Sequence, residues 1–373
     1  MYVRPSGSFT GSRTNRITKY SGKDNPYLEL SIDNRLSHFI TFIRQRYLSS
    51  SFQPSGLEKS DGQSPSYIYR PVDFARIAQY FALDVISDIA FGQPFGFLDT
   101  DSDVHDYIKT QEALLPIFEW FATLPSLERL IRIQWISRLL MPKPTDEKGL
   151  GRLMGVAEKI VNQRYSVAGK ADPKSDMLGS FIRHGLPREQ AKIETVLQIM
   201  AGSDTTVATL RMTVLFVCTA PSILRKVLDE LDAADKAGKL SRPMARDSEI
   251  RAHLPYLCAC IRETLRMWPP VLGLGFKEVP EGGDTINGYF LPAGTSVGYG
   301  AWGLHRSKAL YGEDANVYRP ERWTDTKDEE KLAAMNRSAD LVFSYGKSGC
   351  LGKPVAFMEL NKALTEVSNS LIG

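Results

Sequence analysis

The run Phe343-Ser344-Tyr345-Gly346-Lys347-Ser348-Gly349-Cys350-Leu351-Gly352-Lys353-Pro354 constrains this chain more than any other stretch. It sets one thiol among closely spaced glycines and follows it with a proline. A thiolate can ligate a metal carried in a flat ring when its loop lets the backbone approach the ring, shields the sulfur and aims N–H groups at it. Gly346 and Gly352 are expected to adopt φ > 0, which brings the main chain close without a side-chain clash, and Phe343 to cover the sulfur from water. Pro354 opens a helix on which Ala356, Leu360, Leu364, Val367 and Leu371 recur at helical spacing. Cys350 therefore falls just before a helix N-terminus, where the dipole favours an anion.

A lone cysteine is usually a small buried hydrophobe, so Cys350 by itself would prove nothing. The pattern F-x-x-G-x-x-x-C-x-G is more specific, and it resembles the haem-binding loop of the cytochrome P-450 family. The resemblance implies haem b with Cys350 as its axial ligand and Phe343, Gly346, Lys347 and Gly352 around it. Three further segments match the family in order. The first is Ala201-Gly202-Ser203-Asp204-Thr205-Thr206, set between Val196, Leu197, Ile199, Met200 and the mostly apolar run Val207 to Val217, so that the whole reads as one long buried helix. Gly202 costs such a helix about 1 kcal/mol relative to Ala, and Asp and Thr are weak helix formers, so the cluster opposes local propensity as functional sites often do. Ser203 could instead cap a helix that begins here, although a capping box would want Glu or Gln where Thr206 stands. In the family this segment lies across the open face of the haem. The resemblance places Ala201 against the cofactor and assigns proton delivery during O2 cleavage to Asp204 and Thr205, an acid and a hydroxyl that holds water.

The second segment is Glu263-Thr264-Leu265-Arg266, ahead of Met267-Trp268-Pro269-Pro270. Residues at i and i+3 share a helix face, and an isolated pair of this kind is most often a solvated contact. The third, Tyr318-Arg319-Pro320-Glu321-Arg322-Trp323, resembles the family's P-E-R-F motif, which implies that Arg322 joins Glu263 and Arg266 in a buried structural network. By the same resemblance Lys277 falls where a basic residue contacts a haem propionate, although a solvated lysine at a strand edge fits equally. Ser348 stands where many relatives carry Arg or His for that contact, and Lys347 is the candidate substitute. His305 reads as a packing or loop residue rather than a ligand.

The expected fold is mainly α, a cytochrome P-450-like helical fold with a small β-sheet portion, in a single domain over residues 1–373. Ile32 to Tyr47 and Phe74 to Phe91 carry helical periodicity, the latter ending on Gly92. Glu278 to Asp284 and Tyr289 to Thr295 read as short strands of a small sheet. Ser50 to Ser66 reads as a loop, and Pro221 to Leu240 as a helix with a solvated face bearing Lys226, Asp229, Glu230 and Asp232. Leu114 to Met141, rich in aromatic and aliphatic residues that include Phe118, Trp120, Phe121, Trp135 and Ile136, corresponds by order to the family's lid over the substrate pocket; ordinary helix packing is the alternative.

At 373 residues, with 43% hydrophobic and 24% charged side chains, the chain can bury a substantial core, and a net charge of +3 gives no footprint for nucleic acid. Cys218, Cys258, Cys260 and Cys350 have no disulfide-framework spacing, which fits a reducing, cytosol-facing setting. No apolar run is long enough to span a bilayer, although the family implies association with the endoplasmic reticulum. The chain is expected to lack the family's N-terminal anchor and final hairpin, and Phe9 with Arg13 is only a weak match to its W-x-x-x-R propionate clamp. Tyr20 to Asn25 and Gly352 to Ala356 resemble the fungal pisatin-demethylase-like group. That resemblance implies a monomeric monooxygenase that hydroxylates or O-demethylates a small lipophilic substrate with O2. Electrons would come from NADPH-cytochrome P-450 reductase, and Lys347 and Lys353 could help dock it. A haem-thiolate isomerase or dehydratase, or a non-catalytic protein without haem, are the alternatives.

Overall fold

The protein is represented by a computed structural model that describes residues 27–47, 71–124, 133, 142–168, 175–272 and 277–372. The long helices are α1 (Leu28–Tyr47), α2 (Phe74–Phe91), α3 (Tyr107–Thr123), α4 (Gly149–Ala168), the short α5 (Met177–Arg183), α6 (Arg188–Cys218), α7 (Pro221–Lys236), α8 (Asp247–His253) and α9 (Pro255–Met267). Four short strands follow: β1 (Lys277–Glu278), β2 (Asp284–Ile286), β3 (Tyr289–Leu291) and β4 (Ser296–Val297). Helices α10 (Glu329–Asp340) and α11 (Lys353–Val367) complete the chain, with single helical turns between them and the strands. The mainly helical expectation holds.

Local chemistry sets the helix ends. Asp73 caps α2 by accepting the Arg76 N–H at 3.0 Å, and Gly92 closes it at φ 72° with its N–H on the Asp88 carbonyl. The expected limits of α2 are those observed; α1 begins four residues before Ile32. Pro255 opens α9, and Glu230 of α7 accepts the next two amides, of Tyr256 at 2.8 Å and Leu257 at 2.9 Å. Glu230 is thus a half-buried cap rather than part of a solvated face, and burial pushes its carboxyl above the ordinary range. Lys226, Asp229 and Asp232 are exposed as expected, and Lys226 meets Glu321 at 2.6 Å.

Helix α6 is the centre of the packing and touches α2, α4, α9 and α11. Phe39, Phe81, Leu210, Leu257 and Leu364 lie in one apolar cluster joining these helices. Each fully buried side chain of this kind is worth about 1.5–3 kcal/mol. Helices α2 and α6 approach closely at Gly202, where an added Cβ would stand 2.7 Å from Ile86 Cδ1 and 2.9 Å from its Cγ1. Gly202 weakens its own helix and in return lets α2 seat against it.

Helix α11 is tied to the rest by a buried cation. Lys362, 1% exposed, places its ammonium 2.9 Å from Glu29 Oε1, 2.9 Å from Asp33 Oδ1 and 2.7 Å from the Ala245 carbonyl. Beside it Asn361 donates to Asp247 at 2.8 Å. Burial works to raise the Glu29 carboxyl, but hydrogen bonds from Lys362 and the Asp247 N–H bring it below its ordinary value; burial holds Asp33 above its own.

Among the described residues the expected small sheet takes the form of two antiparallel two-stranded ladders. One pairs Lys277 with Val297 and Glu278 with Ser296; the other pairs Asp284, Thr285 and Ile286 with Leu291, Phe290 and Tyr289. Asn287 and Gly288, at φ 52° and 82°, make the tight turn of the second hairpin. The strands are shorter than expected because Pro280 and Pro292 donate nothing and Gly282, Gly283 and Gly294 all take positive φ.

Phe9, Arg13, Tyr20 to Asn25, Ser50 to Ser66, Trp135 and Ile136 lie outside the described residues, as do the side chains of Phe118 and Phe121. In α3, Trp120 is 64% exposed. Among the described residues no single helix is long and apolar enough to cross a membrane; α6 and α7 pass by length and composition only together, bent by 104°.

Replacing Lys362 by Met keeps the stem and removes the ammonium, leaving Glu29 and Asp33 unneutralised. Breaking a wholly buried pair costs about 3–5 kcal/mol. Because these carboxylates are 35% and 26% exposed, the expected loss is smaller, about 2 kcal/mol. It should be read as a lower urea midpoint with an unchanged slope.

Candidate functional site

Between α10 and α11 the chain makes two 3-10 turns, Leu341–Phe343 and Gly346–Ser348. Ser344 at φ 58° and Gly346 at φ 65° reverse the backbone between them. The Cys350 N–H then donates to the Phe343 carbonyl at 2.7 Å, and the Gly349 N–H to the Gly346 carbonyl at 3.2 Å. These bonds close a compact loop with the Cys350 thiol exposed at its end, one turn before α11. Gly346 adopts the positive φ expected of it. Gly352 does not: at φ −81° it is the residue from which α11 starts, and helical geometry there needs a right-handed backbone. A Cβ at Gly352 would sit 3.9 Å from Cys350 Sγ, an ordinary contact, so the residue flanks the sulfur without crowding it.

Phe343 packs on Phe357 of α11, with ring centroids 5.4 Å apart. Lys353 lies over the Phe343 ring at 5.2 Å and pairs with Asp340 at 2.9 Å. Its ammonium is thereby engaged within the loop rather than held out for a partner. Lys277, on the edge of β1, reaches the same loop and donates to the Tyr345 carbonyl at 3.1 Å. Lys347 lies in the second 3-10 turn, and its side chain is outside the described residues.

The polar segment of α6 is part of one unbroken helix of 31 residues, so Ser203 is not an N-cap. Its hydroxyls fold back on the preceding turn: Ser203 to the Ile199 carbonyl at 2.9 Å, Thr205 to Ala201 at 3.0 Å, Thr209 to Thr205 at 3.1 Å and Thr213 to Thr209 at 2.8 Å. With its hydrogen so used, the Thr205 hydroxyl has lone pairs left to accept from water. Ala201 is exposed, and with Leu197 and Ile193 it forms a bare apolar stripe on a helix expected to be buried throughout. Asp204 turns toward α2, where Gln79 donates to Oδ1 at 2.6 Å; burial raises its carboxyl above the ordinary range against the pull of that bond. Sequence reading missed Gln79 and Tyr107, since a polar residue on an apolar helix carries no signal of the partner it will meet.

Among the described residues no group of three or more His, Cys, Asp or Glu side chains could hold a metal ion. Cys350 can therefore offer one ligand to a metal that brings its other ligands with it. Helix α11, which follows Cys350, packs directly on α6, so the exposed thiol and the bare stripe around Ala201 belong to adjoining elements.

Beneath this region Glu263, fully buried, collects five donors. Arg266 Nε and Nη2 approach at 2.9 and 2.7 Å, Arg322 Nε at 3.1 Å, the Arg319 N–H at 2.9 Å and Trp323 Nε1 at 2.9 Å. The guanidiniums go on to main-chain oxygens, Arg266 to His305, Ala315 and Val317, Arg322 to Tyr311, Asp314 and Val317. His305 is buried against the Ser338 carbonyl at 3.1 Å, and burial lowers its imidazole below the ordinary value. It is a loop residue, as expected.

A family model described as cytochrome P450 matches residues 55–367. The chain belongs to the cytochrome P450 family. It is 42% identical over 352 residues to the cytochrome P450 monooxygenase ABA1 of Pyricularia oryzae, covering 93% of this chain and 65% of that relative's length. It is 37% identical over 362 residues to the cytochrome P450 monooxygenase aba1 of Botryotinia fuckeliana, covering 97% and 67%. It is 31% identical over 305 residues to the pisatin demethylase of Fusarium vanettenii, covering 79% and 57%. The chain thus spans roughly two thirds or less of the length of these relatives. The crystal structure of the cytochrome P450DA heme domain superposes with a TM-score of 0.68 at 17% identity, over 97% of this chain and 72% of that one, which shows the cytochrome P450 fold.

The Glu263 network is the most sensitive point of this P450. Glu263→Ala would strand two buried guanidiniums, with an expected loss of about 3–5 kcal/mol and little soluble protein. Trp323→Phe removes one neutral donor to a charged oxygen and should cost about 1.5–3 kcal/mol by urea unfolding.

Proposed function

We propose that this P450 is a haem-thiolate monooxygenase acting as one catalytic domain over residues 1–373. It would insert one oxygen atom of O2 into a small lipophilic substrate, by hydroxylation or oxidative O-demethylation. Electrons would come from NADPH through a separate reductase. The observation that carries this reading is the exposed Cys350 thiol at the end of a loop closed by the Cys350 N–H to Phe343 carbonyl bond. The donor set fits haem b: one sulfur on one side, a bare apolar stripe with a polar turn on a neighbouring helix, and no chelating cluster among the described residues. Haem held by a thiolate supplies O2 activation and O–O cleavage, which the electron-rich sulfur favours.

The chain's own residues would do the rest. Cys350 supplies the sulfur, and Phe343 with Phe357 keeps water from its inner side. Gly346 turns the backbone so that nothing larger than a hydrogen projects from the loop at that point. Lys277, already drawn to the loop, is the cation for a propionate, and Lys347 is the second candidate for that contact. Ala201 presents a flat surface to the ring, while Asp204 holds a proton and the Thr205 hydroxyl orients the water that carries it. The monooxygenase names of the fungal relatives support oxygenation, and the name of pisatin demethylase supports a demethylation.

The test is the reduced carbon-monoxide difference spectrum of purified protein reconstituted with haem. A Soret band displaced far to the red is expected, and Cys350→Ala should abolish it. A band at the position given by a nitrogen ligand would overturn the assignment. Thr205→Ala should keep the band and divert NADPH consumption to peroxide; unchanged coupling would remove the proton role from Thr205.

A further inference from the structure

The carboxyl of Asp204 is gripped from outside its own helix. Gln79 of α2, 5% exposed, donates from Nε2 to Asp204 Oδ1 at 2.6 Å. The Ser203 hydroxyl lies 3.3 Å from the same oxygen. Behind Ser203, the Tyr107 hydroxyl of α3 stands 3.1 Å away and receives Gln111 Nε2 at 3.0 Å. The direct donor to this carboxyl oxygen from outside α6 is Gln79 of α2, while Tyr107 of α3 backs the neighbouring Ser203 hydroxyl. A carboxylic acid that accepts at one oxygen carries its hydrogen on the other, because an O–H aimed at an N–H donor would leave both hydrogens facing. Oδ2 receives no hydrogen bond among the described residues.

We propose that Gln79 is a positioning residue for Asp204: by holding Oδ1 as an acceptor it assigns the exchangeable proton to Oδ2 and fixes the side on which that proton is handed over. The proposal rests on the proton role of Asp204 proposed above. In the transfer the Oδ2–H bond breaks, the proton passes to water, and the carboxylate left behind is reprotonated from solvent. Charge around the site agrees with this arrangement. Burial raises the Asp204 carboxyl, while the bonds from Gln79 and Ser203 and the Arg211 guanidinium pull it down. Arg211 itself lies under the fields of Asp73 and Glu112. Tyr107 faces Asp204 from α3 as a neutral phenol, held high by burial and by that carboxylate. Helices α4, α9 and α11, which also pack on α6, bring no further charge to it among the described residues.

The experiment follows the Asp204 carboxyl carbon by NMR across pH in aspartate-labelled protein, with and without haem, and identifies its signal by its loss in Asp204→Asn. Gln79 stabilises the carboxylate form. Removing its N–H in Gln79→Leu should therefore move the Asp204 midpoint to higher pH, by about one unit. Gln79→Met, unbranched and of similar length, provides the same reading if Leu disturbs packing. An unmoved midpoint in both variants, with only a lowered unfolding temperature, would make Gln79 a structural residue and overturn the proposal. The underlying reading fails separately: Asp204→Asn holoprotein that couples NADPH to product normally would take the proton role from Asp204, whatever the Gln79 variants show.

Discussion

The Glu263 carboxylate, sealed from water and shared by Arg266 and Arg322, is the interaction on which the joining of α9 to the turns from His305 to Trp323 depends. Two guanidiniums and one indole N–H converge on it, and the same guanidiniums satisfy carbonyls from a stretch with little regular structure of its own. In water each of these ion pairs would be worth a few tenths of a kcal/mol. Buried, the network is conditional: complete, it holds irregular backbone in one shape; missing a member, it leaves charge with no solvent to take it. The turns from residue 301 to 323 can dispense with long helices because their carbonyls are held from above.

That arrangement matters for the thiol because the loop bearing Cys350 is fixed from two directions. Ahead of it, Tyr299 donates to the Leu341 carbonyl, and Lys277 to that of Tyr345 at 3.1 Å. Behind it, α11 is pinned through Lys362 and Asn361 to α1 and α8. A sulfur that must meet a ring at one distance gains from such bracing, which adds to the main-chain hydrogen bonds that close the loop itself. Helix α6 is braced in turn by α2, and its polar turn inherits its placement from that contact.

Much of this was legible in the chain itself. Periodicity and a stop glycine located α2 because Phe74 to Phe91 carries apolar residues at helical spacing and Gly92 can turn left-handed. The joining of Arg322 to Glu263 came from family resemblance, since nothing in spacing alone brings residues 59 apart onto one carboxylate. The role of Gly352 was misread because glycine signals either a special φ or a need for room, and only the backbone distinguishes them. Gln79, Tyr107 and Lys362 were invisible for a common reason: each is a polar side chain whose partner lies on a distant element. A one-dimensional pattern records which residues are buried and says little about whom they meet.

The contact between Ile86 and Gly202 makes side-chain volume a quantity shared by two positions. Since a methyl placed on residue 202 would stand 2.7 Å from the isoleucine's tip, space granted to one must be taken from the other. The polar turn of α6 therefore shares its room with an aliphatic side chain of a neighbouring helix, and bulk added at residue 202 requires the Ile86 side chain to shift or to shrink.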